Sequence, residues 1–97
     1  MKNITKALVL SRQANAFLKE EIDRHKSGAG IVGVATQLVE CQNQIEEMIV
    51  QLESGHLPPK NQRLRGMGHM IADSWPINSQ LGDSLLLAEQ AYHIAET

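Results

Sequence analysis

An all-α fold is predicted for this chain: a four-helix up-down bundle built on a long antiparallel helical hairpin, with a short third helix. Three observations carry that prediction. Apolar residues recur at helical spacing along several stretches, glycine and proline fall between those stretches, and the chain is 42% hydrophobic but only 3% aromatic, so aliphatic side chains must fill the core. With 97 residues, a single domain (1–97) with one core is expected.

The first helix is expected from about Asn3 to Lys26, with Ile4, Ala7, Leu8, Ala14, Leu18 and Ile22 on one face. Ser27, Gly28, Ala29 and Gly30 break it, since glycine relieves the strain of a left-handed helix end. The second helix, from about Ile31 to Ser54, has the strongest pattern. Ile31, Val34, Ala35, Leu38, Cys41, Ile45, Met48, Ile49 and Leu52 form one stripe, and Glu40, Asn43, Gln44, Glu47 and Gln51 fall opposite. Gly55 ends it, and Pro59 forces Pro58 into extended geometry. A weaker third helix is predicted from about Asn61 to Ser74, with Leu64, Met67, Gly68 and Ile71 inward and Pro76 beyond its end. Asn78 or Ser79 can cap a fourth helix reaching nearly to Thr97, with Leu81, Leu85, Ala88, Ala91, Tyr92 and Ala95 as its buried face.

Charge supports this order. The first helical segment is net positive, the second carries Glu40, Glu46, Glu47 and Glu53 with no basic residue, the third is positive and the fourth negative, within an overall net charge of −2. In an up-down bundle each helix then sits beside neighbours of opposite sign. Each such surface pair is worth roughly 0 to 1 kcal/mol, so the pattern selects among topologies without holding the fold together. A hairpin turning near Gly28 and Ala29 would also set Asn15 level with Gln42. Both are polar on otherwise apolar faces, as is Ser11, and a hydrogen bond between Asn15 and Gln42 is predicted, because an amide buried alone costs about 1 to 3 kcal/mol.

No motif in the chain points to catalysis, and a non-enzymatic protein without cofactor or metal is expected. His25, His56, His69 and His93 are far apart, with no ligand pair at metal-binding spacing. Cys41 lies on the core face of the second helix, where a free thiol is a small hydrophobe, and no disulfide can form within the chain. The apolar run Ala7 to Leu10 is too short for a signal peptide, and no window reaches the length of a membrane span, so a soluble cytoplasmic protein is expected.

Arg65, His69 and Asp73 stand four residues apart and would form a column on the third helix, with Arg63 nearby. These four are the candidate contacts for a partner or ligand, although mutually supportive surface charges are the simpler reading of the column. Lys60, Arg63 and Arg65 at the start of that helix could bind phosphate. A nucleic-acid-associated regulator is therefore one alternative function, although the outward residues Asp83, Glu89 and Glu96 of the next helix would repel DNA. A small-ligand-binding bundle is another, with Asn15, Gln42, Cys41 and Tyr92 as the inward groups able to line a pocket.

The surplus apolar residues say more. Leu10 and Phe17 lie on a flank of the first helix beyond what one core face needs, Val32, Val39 and Val50 do so on the second, and Leu86, Leu87 and Ile94 widen the fourth. An uncovered apolar strip seeks a partner, and a two-fold self-interface uses the same patch twice. The expected role is a protein–protein interaction module, homodimeric, with a protein partner besides, through Leu10, Phe17, Val32, Val39 and Leu86.

Overall fold

The computed structural model describes residues 3–30, 34–75 and 79–96, which form four helices: α1 Ile4–Lys26, α2 Ala35–Ser54, α3 Met67–Ser74 and α4 Gln80–Ile94. No strand occurs among the described residues, and a single 3₁₀ turn, Lys60–Gln62, precedes α3. The bundle measures 41 × 22 × 20 Å, and α1, which spans most of its length, packs along both α2 and α4. The short α3 lies against α4 and α2.

The inner face of α1 explains why it can serve two neighbours. Ile4, Ala7, Ser11, Ala14, Leu18 and Glu21 are buried at helical spacing, and the small side chains of Ala7, Ser11 and Ala14 let neighbouring helices approach closely. Leu38, Cys41, Ile45, Met48 and Leu52 of α2 and Leu81, Leu85, Ala88, Ala91 and Tyr92 of α4 complete the core, with Met67, Ile71 and Trp75 closing it from the α3 side.

The helix ends follow from local chemistry. Gly28 takes φ 83°, and the bonds Gly28 N to His25 O and Ala29 N to Arg24 O close α1 in a Schellman turn. Gly55, at φ 74°, ends α2 in the same left-handed geometry. Ser79 Oγ accepts from Gly82 N at 3.0 Å and caps α4. At the start of α2, Gln37 Oε1 accepts from both Val34 N at 3.2 Å and the Trp75 indole at 3.1 Å. One side chain thus fixes where α2 begins and where α3 ends.

Two expectations need correction. The third helix begins at Met67, not near Asn61, because Arg63 is extended and Gly66 takes φ 109°, a conformation that interrupts any helix. The fourth helix does reach nearly to the end, stopping at Ile94, where Ala95 turns to ψ 144°. The Asn15–Gln42 pairing is not formed as predicted: Asn15 Oδ1 is buried with no hydrogen-bond partner among the described residues. α2 takes its N-cap at Val34, and across the hairpin Arg12 meets Glu53 at 2.6 Å. Of the second helix as predicted, Ile31, Val32 and Gly33 lie outside the described residues.

The Ser11 hydroxyl, one turn from Asn15, is also fully buried and has no hydrogen-bond partner among the described residues. A buried polar group without a hydrogen bond is a cost, so replacing it with a methyl group should help. Ser11→Ala is expected to raise unfolding free energy by up to about 1 kcal/mol in chemical denaturation. A loss of stability on that substitution would mean that the hydroxyl is hydrogen-bonded after all.

Candidate functional site

Arg63, expected as a contact for a partner or ligand, is 6% exposed and is built into the fold. The segment from Pro58 to Arg65 crosses the end of α4, and the Arg63 guanidinium turns into that end. Its Nε donates to Pro58 O at 3.0 Å, and its Nη1 is shared among Tyr92 O, His93 O and Ala95 O at 2.9, 2.9 and 2.7 Å. The final carbonyls of a helix lack intrahelical donors and carry partial negative charge, so a cation there is stabilised twice over. The guanidinium carbon also lies 5.9 Å from the centre of the Tyr92 ring.

The next residue is held by side chains. Leu64 N donates to Tyr92 Oη at 3.3 Å, and Leu64 O lies 2.7 Å from His93 Nε2, which must donate because a carbonyl can only accept. Tyr92 Oη in turn donates to Gln51 Oε1 of α2. Burial is the leading reason that the Tyr92 phenol titrates above its ordinary value, partly offset by its hydrogen bond with Leu64 and by the nearby Arg63 charge. Neighbouring residues 63 and 64 thus strap the loop to α4 through backbone and side-chain groups alike.

The expected column of Arg65, His69 and Asp73 is not present as such. Arg65 precedes α3 and donates to Lys60 O at 3.3 Å, while His69 and Asp73 are exposed on α3 itself. The basic cluster is dispersed too: Arg63 is buried, and Lys60 lies 3.7 Å from Glu96. At the start of α3 the notable group is Glu89, whose carboxylate accepts from Gly68 N at 3.1 Å and from Gln44 Nε2 at 2.6 Å. It joins α2, α3 and α4. A Cβ at position 68 would stand 2.7 Å from Glu89 Oε1 and 3.3 Å from Leu86 Cδ2, so the inward glycine permits the close approach of α3 to α4.

A cleft of about 230 Å³ between α2 and the start of α3 is lined by Glu40, Cys41, Gln44, Arg65, Met67 and Met70 among others. Its one potential nucleophile is unsuited to the task. Burial, reinforced by Glu40 and Glu89, pushes the Cys41 thiol up to about 12, so almost no thiolate exists at neutral pH. Among the described residues no three His, Cys, Asp or Glu side chains are grouped to hold a metal ion, and no helix is long and apolar enough to cross a membrane. At the far end of α1, Glu21 is a buried carboxylate contacted by Arg24 at 2.7 Å and by His25 at 3.2 Å. Its place on the α1 inner face at the 3-4 spacing was the available signal, obscured by its charge.

The apolar surplus falls into separate places. Leu10 joins Asn3, Lys6, Leu87, Ala91 and Ile94 in a groove of about 210 Å³ between α1 and α4. Phe17 is half-buried on the same side of α1 as Leu10. Val39 lies instead at the hairpin end, in an apolar cleft of about 260 Å³ with Ile22, His25, Lys26, Ala35 and Leu38. Leu86 is close to Gly68 of α3, and Val32 lies outside the described residues. Leu87 and Ile94 are more than half exposed, and they, more than Leu86, form the open apolar wall of α4. The chain matches no family model, no curated protein and no solved structure.

Two outcomes test this description. Arg63→Met is expected to destabilise the protein by about 3 kcal/mol, since it strips hydrogen bonds from a charged donor and leaves helix-end carbonyls unpaired; denaturation curves would measure it, and a change below about 0.5 kcal/mol would contradict it. The raised Cys41 value works through the unfolded state, where the thiol ionises near 9.0. Its contribution is present in full below that pH and is lost as pH rises from 9.0 toward about 12. Thermal midpoints of the wild type should therefore fall more steeply over that range than those of Cys41→Ala, and parallel curves would refute the assignment.

Proposed function

We propose that this protein is a small non-enzymatic interaction module that self-associates and presents a helical surface to a partner protein. The observation that carries the reading is the groove between α1 and α4, where Leu87 and Ile94 stand 53% and 52% exposed beside the half-buried Leu10. Single exposed aliphatic residues are ordinary on protein surfaces. Two of them along one groove, with Leu10 at its base, supply the continuous apolar strip that an association surface uses.

The polar chemistry of the chain supports the same reading by the way it is used. Arg63, Tyr92, His93, Gln51 and Glu89 hold helices and loop together, and the one thiol is buried and protonated. Few polar groups are left to converge on a substrate. A single buried thiol suits a reducing cytoplasmic setting.

Light scattering across a range of protein concentrations tests self-association. A mass that settles at twice the chain mass is the expected result, largely insensitive to salt if apolar contact dominates. A single-chain mass at every concentration would refute the self-associating part of the proposal.

A further inference from the structure

We infer that the α1/α4 groove is closed by a second copy of this chain, related by a two-fold axis running across the helices at the level of Leu10 and Leu87. This deepens the reading above and rests on it. The end of α1 meets the start of α2 and Arg12 meets Glu53, while Gln44 and Gln51 of α2 meet Glu89 and Tyr92 of α4 in the same order, so α1 runs antiparallel to α4. Asn3 and Ile94 mark one end of the groove, and Leu10 and Leu87 lie farther along it.

The placement of charge selects this arrangement. Lys6 lies one turn before Leu10 on the same side of α1, and Asp83 lies one turn before Leu87 on the same side of α4. Because the helices are antiparallel, these charges fall on opposite walls and on opposite sides of the Leu10–Leu87 level. Both residues are exposed, and neither makes an ion pair among the described residues. A two-fold rotation about an axis across the groove exchanges its ends. Each Lys6 then comes level with the other copy's Asp83, and each Ile94 level with the other copy's Phe17, with Leu10 and Leu87 around the axis. Each pair is set diagonally across the groove by one interhelical spacing, ~8–10 Å, which the long side chains span. A two-fold axis along the helices would instead leave Lys6 and Asp83 about two turns apart and unmatched. The face is thus self-complementary in charge and in apolar surface, as an isologous contact demands.

Sedimentation velocity on the full chain, with helicity checked by circular dichroism, tests the assignment. Leu87→Arg and, separately, Ile94→Arg should each weaken dimerisation at least about tenfold while leaving helicity unchanged. Lys6→Glu and Asp83→Lys should each weaken it by a smaller factor, and the double variant should recover affinity close to wild type. A dimer indifferent to all four substitutions would overturn this surface while leaving self-association standing. Loss on Leu87→Arg without recovery in the charge-reversed double variant would overturn the two-fold register. A wild type that is monomeric throughout would overturn both this inference and the self-association it rests on.

Discussion

The guanidinium of Arg63 sits in a cage of main-chain carbonyls, and the arrangement of the other elements at that end of the molecule depends on it. Burying a cation without a carboxylate beside it would ordinarily be prohibitive. Here the compensation comes from the end of α4, where Tyr92, His93 and Ala95 offer carbonyls that α4 cannot satisfy by itself, and from Pro58 on the loop. The cost of burying the charge and the cost of leaving a helix end unpaired offset each other. The same contact explains why a chain segment containing two prolines and a left-handed glycine can have a fixed path between α2 and α3.

From that anchor the remaining geometry can be followed outward. Leu64 is held at both its backbone groups by Tyr92 and His93, and Tyr92 reaches across to Gln51 of α2. The loop then delivers Gly66 and Gly68 to the place where Glu89 receives the start of α3, and Gln44 binds the same carboxylate from α2. At the other end of α3, Trp75 meets Gln37. The short helix is therefore pinned at both ends by polar contacts, while Met67 and Ile71 supply its apolar contacts with the core. Among the described residues nothing comparable covers the face of α4 turned away from α3, and the exposed Leu87 and Ile94 lie there.

What could be read from the sequence followed from whether the signal was local. The two long helices, the glycine stops at Gly28 and Gly55 and the Ser79 cap were legible because each depends on nearby residues. A third helix starting near Asn61 would have had Gly66 in its interior, whereas its φ of 109° makes it the turn before one. That error produced the column of Arg65, His69 and Asp73, which presupposed an unbroken helix. Arg63 was misplaced for a different reason: its partners are main-chain carbonyls about 30 residues away, and no pattern of side chains announces them. The Asn15–Gln42 pairing rested on a turn placed at Gly28 and Ala29 and on a helix starting near Ile31, whereas α2 takes its N-cap at Val34 and Arg12 meets Glu53 across the hairpin.

The central claim, that the Arg63 charge is held by the carbonyls of α4 rather than left available to a ligand, can be observed directly by nuclear magnetic resonance of its side chain. A guanidinium caged as described should give separately resolved, slowly exchanging Nη protons with couplings through the hydrogen bonds to the carbonyl carbons of Tyr92, His93 and Ala95. One averaged, rapidly exchanging signal, like that of a free arginine side chain, would contradict the account.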